Sequence, residues 1–169
     1  MLYLWGDYIM ENGQIVIFKL QEHEFGIDIK KVIEILNYGP VRPVPEEPRY
    51  VEGIINVRGI IYPIFNLCRR LNMSEYEERD KSKFILLQIG PNRVGFLVDS
   101  VVEILNINES CMEELPSMLD RNHVNCIEAI VNIENRMIIV LDVDVLISDE
   151  EKLYVQGVSD EENCSSHTK

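Results

Sequence analysis

The chain has 169 residues, 46% of them hydrophobic and 27% charged. That mixture is ordinary for a globular protein and excludes a disordered chain, a collagen or a coiled coil. Sixteen Lys and Arg against 29 Asp and Glu leave a formal net charge of −13, which repels phosphate backbones and anionic lipid and makes both poor partners.

Residues 1–12 form an N-terminal segment. Leu2, Tyr3, Leu4 and Trp5 are apolar, but Asp7 and Glu11 interrupt them and no basic residue precedes Lys19. The segment suits neither a membrane span nor a secretory signal, and no other apolar run is long enough. A soluble, cytoplasmic chain is expected. Residues 14–20 and 25–30 then read as a β-hairpin across a polar turn, Gln21 to Glu24. Val32 to Leu36 reads as a further strand. Pro40, Pro43, Pro45 and Pro48 preclude regular helix and mark an extended loop. Residues 53–67 alternate apolar runs with Asn and Gly, as strands and a turn would. Residues 71–82 are a polar connector. A second hairpin is expected from 83–89 and 94–98, across Gly90 to Arg93. Residues 106–125 form a longer connector, with a helical turn expected at Met112 to Leu115. Ser148-Asp149-Glu150-Glu151 is a capping box, predicting a short helix to about Val155. Ser159 to Lys169 reads as a flexible tail.

The strand pattern repeats. QIVIFKLQEHEFGIDIKKVIEIL (14–36) lies over KFILLQIGPNRVGFLVDSVVEIL (83–105) at a spacing of 69, with Gly26 on Gly95 and Glu34 on Glu103. GIINVRGIIYPIFNL (53–67) lies over AIVNIENRMIIVLDV (129–143) at a spacing of 76, with Asn56 on Asn132. Two blocks in the same order indicate a duplicated unit. Val16-Ile17-Phe18 and Ile85-Leu86-Leu87 are apolar on both faces, as strands between two layers should be. A copy of this size is near the lower limit for a core of its own, so the two copies are expected to share one.

Chemistry-bearing constellations are absent from the sequence. There is no phosphate-binding glycine loop, nucleophile elbow or zinc-protease helix. Cys68, Cys111, Cys126 and Cys164 are dispersed and suggest reduced thiols. His123 and Cys126 supply at most half a metal site. Asp99 and Asp142 read as turn residues at strand ends. No cofactor, metal or catalytic residue is expected, and a binding protein follows.

FGIDIKKVIEIL (25–36), the proline loop ending VPEEP (44–48), YVEGIINVRG (50–59) and PIFNL (63–67) resemble the CheW family of chemotaxis coupling proteins. VGFLVDSVVEIL (94–105) and IIVLDVDVL (138–146) extend the resemblance, which covers about residues 13–155 in order. It implies an all-β fold of two packed five-stranded SH3-like barrels. The expected CheW-like domain spans 13–147, with barrel one at about 14–70 and barrel two at about 83–147; a short helix and flexible tail occupy 148–169. The resemblance also implies a non-enzymatic adaptor in a two-component system. It would bridge the cytoplasmic tips of chemoreceptors to the regulatory domain of a CheA-type histidine kinase, recruited to membrane receptor arrays without entering the membrane itself. Another motility or sensory kinase pathway, or a small-barrel nucleic-acid binder, are the alternatives.

By resemblance, Val32 and Glu34 lie near the receptor-binding groove. Gly53, Arg58 and Gly59 belong to a segment linked to receptor and kinase coupling, and Gly95, Val98 and Val101 to the kinase-facing side. The residues themselves leave other roles open. Val32 and Val101 also read as core, the glycines as turn or bulge positions, and Arg58 as a solvated turn arginine. Asn66-Leu67-Cys68 stands where the family commonly has Asp-Leu-Arg. Asn keeps an acceptor but loses the charge, and Cys68 removes a basic side chain.

Overall fold

The computed structural model describes residues 13–113, 115–116, 126–153 and 155–157. The N-terminal segment, His123 and the tail after 157 lie outside them.

Copy one contributes β1 (Gly13–Leu20), β2 (His23–Asp28), β3 (Val32–Asn37), β4 (Val51–Val57), β5 (Ile60–Asn66) and the short helix α1 (Leu67–Arg70). Copy two repeats the series as β6 (Lys83–Ile89), β7 (Asn92–Val98), β8 (Ser100–Ile107), β10 (Ile127–Ile133), β11 (Arg136–Leu141) and α2 (Val143–Leu146), with an added strand β9 (Met112–Glu113). The duplication therefore holds at the level of whole elements. Both hairpins turn more tightly than expected, over two residues, because Gln21 and Gly90 take positive φ, 56° in each case. The helical turn expected at Met112 is instead the strand β9, preceded by a 3₁₀ turn at Glu109–Cys111. The capping box is present. Ser148 N–H donates to Glu151 Oε2 at 2.6 Å, Glu151 N–H donates to Ser148 Oγ at 3.2 Å, and the following helix carries the buried Val155.

The copies are interleaved. One sheet has six strands in the order β8-β1-β2-β11-β10-β9; the other has five in the order β3-β6-β7-β5-β4. Each first hairpin thus leaves its own copy and joins the strands of the other. The pairing crosses between the expected spans 14–70 and 83–147: β1-β2 pairs with β8 and β11, while β6-β7 pairs with β3 and β5. The swap is reciprocal to the residue. Ile64 aligns with Gly95 in one parallel pair and Val140 with Gly26 in the other, which are equivalent positions.

Three apolar clusters follow. Ile15, Ile17, Val131 and Ile138 pack on one face of the six-stranded sheet. Tyr62, Ile64, Phe84 and Leu86 pack on one face of the five-stranded sheet. The largest cluster lies between the sheets and includes Phe18, Phe25, Phe65, Ile85, Leu87, Phe96, Leu141 and Val155. Strand β6 shows why its residues are apolar on both sides: Phe84 and Leu86 face one cluster, Ile85 and Leu87 the other.

Candidate partner-binding site

Strand β3 carries the first half of the site. Its register against β6 slips between Val32 and Glu34, so Ile33 is bulged out. The extra residue resets the alternation. Val32 and Ile35 both turn to the cluster between the sheets, while Ile33 is exposed and Glu34 is half-buried beside it. The same slip recurs on β8, where Val102 is bulged and exposed, Val101 faces the core and Glu103 takes the place of Glu34.

The β4–β5 turn carries the second half. Arg58 and Gly59 connect the closing pair Val57–Ile60, with φ of 51° and 83°. Two positive values in a two-residue loop are the signature of a type I′ turn, whose twist matches the flanking strands. Arg58 Nη2 reaches across to Glu34 Oε2 and forms an ion pair. The contact joins the turn of one outer strand to the opposite outer strand of the five-stranded sheet, so that sheet is strongly coiled. Arg58 is 72% exposed and Glu34 30%. The hydrogen bond to Glu34 raises the Arg58 pKa further above its usual range. A pair this open to water contributes little to folding, so its charges are available to a partner.

Copy two reverses the charge of the corresponding turn. Glu134 and Asn135 take the positions of Arg58 and Gly59, with φ of 51° and 62°. The arginine has moved to Arg136, which donates to Glu24 at 2.9 and 3.0 Å and to Glu103 at 2.6 Å. Arg136 holds the Glu24 carboxyl below its usual range. Val102 and Ile104 are exposed on the strand that carries Glu103, and Met137 on the strand that carries Arg136; Ile104 and Met137 are more than half exposed.

The structure brings Glu34, Arg58 and Gly59 together and sends several other expected contact residues inward. Gly53 is buried at φ 142°, and a Cβ there would lie 2.2 Å from the Arg42 carbonyl oxygen. Its role is to let the proline loop bond to β4: Arg42 and Ile54 exchange two backbone hydrogen bonds of 2.9 Å. Gly95 is buried too, and a Cβ there would meet Ile64 Cδ1 at 2.4 Å. Val98 is a core residue, 1% exposed, and Val32 and Val101 pack against the same central cluster. Val98 is closed to surface contact, whereas Val32 and Val101 are half-buried on the strands that present Glu34 and Glu103. Gly59 has open space around it and is required only by its backbone angle.

Two departures in the sequence also find their reasons. Asn66 caps α1 by accepting from Arg69 N–H at 3.2 Å, and its amide donates to Glu52 at 2.7 Å and Glu75 at 2.6 Å. An aspartate could not donate to those two carboxylates. Cys68 is 2% exposed, and burial pushes its thiol up to about 12. It occupies core space where a basic side chain would have no water. Arg69 is held by Glu75 and Glu52, and Arg70 by Glu151 and the Leu146 carbonyl. The adjacent basic side chains Arg69 and Arg70 are therefore neutralised internally, which disfavours a nucleic-acid surface. No group of three or more metal-ligating side chains occurs among the described residues, and no helix among them is long and apolar enough to cross a membrane.

This geometry can be set beside known proteins. The CheW-like domain model matches residues 14–151. A chemotaxis protein CheW of Rhizobium meliloti is 31% identical over 145 residues, covering 85% of this chain and 94% of its own. Its counterpart in Treponema pallidum is 33% identical over 145 residues, covering 83% of this chain and 85% of its own. The crystal structure of the scaffolding protein TtCheW from Thermoanaerobacter tengcongensis is 31% identical, covers 83% of this chain and 96% of its own, and superimposes with a TM-score of 0.74. The interleaved two-sheet fold and the match along most of its length place this chain in the CheW-like family of chemotaxis scaffold proteins.

Proposed function

We propose that the chain is a non-enzymatic adaptor that couples the cytoplasmic tips of chemoreceptors to the regulatory domain of a CheA-type histidine kinase. It works in the cytoplasm and joins membrane arrays through its receptors. The observation that carries this reading is the Glu34–Arg58 pair, an exposed charged contact held on a rigid strand and a strained turn. A guanidinium in that position offers a planar fork to a partner carboxylate, and Glu34 offers the complementary acceptor. The exposed Ile33 and Ile60 beside them supply apolar area. Charge then selects the partner and apolar contact holds it.

The test is assembly of a ternary complex from this protein, a receptor-tip fragment and the kinase regulatory domain of the same organism. Co-sedimentation of all three is expected. Arg58→Glu should weaken it by about tenfold or more, since it places like charge against Glu34 and against the partner's carboxylate. Its unfolding midpoint should stay within a few degrees of wild type, because the pair is exposed. Wild-type protein that binds neither component would refute the reading.

A further inference from the structure

We infer that Asn56 is a positioning residue that sets the direction of Arg58, and so tunes partner binding without touching the partner. The inference rests on the adaptor reading above. Asn56 is exposed on β4, opposite Ile61, one residue before the closing pair of the turn. Its Oδ1 accepts the Gly59 N–H at 2.9 Å. That N–H belongs to the peptide plane between Arg58 and Gly59. The plane fixes ψ of Arg58, and with it the line along which the arginine side chain leaves the backbone. The central peptide of a two-residue turn is the one that flips between turn types I′ and II′. Arg58, a non-glycine at the first central position, already disfavours type II′, and the Asn56 bond adds a side-chain anchor that holds the peptide plane within the type I′ form.

The second copy supplies an internal comparison. Asn132 has the same register, opposite Met137. Its amide nitrogen instead donates to Glu113 Oε1 at 3.0 Å. There the turn tip is Glu134-Asn135, and the arginine that reaches Glu103 sits on the strand at Arg136. Asparagine bonds to the turn in the copy whose tip carries the arginine, and to the neighbouring strand in the copy whose tip does not.

The experiment is a double-mutant cycle on the full chain, read as affinity for the receptor-tip fragment and the kinase regulatory domain. Asn56→Ala should weaken binding about fivefold, the equivalent of one hydrogen bond. It should add nothing in an Arg58→Ala background. Asn56→Asp, which keeps the acceptor, should restore most of the loss. Hydrogen exchange at the Gly59 amide should be faster in Asn56→Ala and slow again in Asn56→Asp, a readout that global stability does not mimic. If Arg58→Ala weakens binding and Asn56→Ala does not, or if the two losses simply add, the inference is overturned while the adaptor reading stands. If wild type binds and Arg58→Ala changes nothing, this face is not the partner site and the inference is overturned while the adaptor reading stands; wild type that binds neither component overturns both.

Discussion

Glu52 and Glu128 occupy the same bulge in the two copies, yet live in opposite surroundings. Glu52 accepts from Asn66 at 2.7 Å and lies 3.3 Å from Arg69. At the equivalent places around Glu128 stand Asp142 and Val145. Burial first, then the charges of Asp142, Asp28 and Asp144, push the Glu128 carboxyl up to about 7, with Lys31 acting against them. A folded-state value above the ordinary carboxylate range means that the native state holds a proton that the unfolded chain has released. The contribution is complete below about pH 4.5 and is lost as pH rises through about 7. Glu128→Gln should remove this dependence. Its unfolding free energy, followed by denaturant titration, should exceed wild type by ~1 kcal/mol at pH 8 and match it near pH 4.5, the shift being discounted for partial solvent access. A constant difference across that range would refute the assignment.

At the scale of elements, the two short helices show how one motif serves two environments. Asn66 and Asp142 both cap a four-residue helix, and Asp142 accepts from the Asp144 and Val145 N–H groups at 3.0 and 3.3 Å. Only Asn66 must also donate. Asn66→Asp should therefore cost about 2 kcal/mol, since it sets a third carboxylate against Glu52 and Glu75 and deletes two hydrogen bonds. Guanidinium unfolding at pH 7 would check it; a loss under about 0.5 kcal/mol would mean that the amide donors carry no weight. The strands themselves were legible: β4 and β10 have identical lengths at a spacing of 76, and alternating Ile, Val and Phe marked nearly every element. Which strand pairs with which was not legible. A strand buried on both faces carries no mark of its neighbour, so β2 beside β11 and β2 beside β5 have the same sequence signature. For the site, Arg58 and Glu34 were readable as residues. Their contact was not, because it depends on the coiling of a sheet that closes 24 positions of sequence. The burial of Gly53, Gly95 and Val98 was not legible for a related reason: a sequence pattern does not tell a residue that forms a surface from one that supports it.

The whole molecule is held by exchange. Neither copy retains its own first hairpin, and the central cluster draws on both. Unfolding should be a single transition that monitors of both sheets report alike. Fragments cut within the connector at 76–77 should each fail to fold alone and should regain native circular dichroism when mixed. A stable isolated half would contradict the interleaved pairing.

The same exchange sets a schedule for synthesis. The β1-β2 hairpin leaves the ribosome early, but its lasting neighbours β8 and β11 end 79 and 113 residues later. At roughly 5–20 residues per second, that hairpin waits about 5–20 s with Ile15, Ile17, Phe18 and Phe25 uncovered. The nascent chain is thus most exposed to aggregation in its first half, and chaperone dependence should fall on that interval of translation.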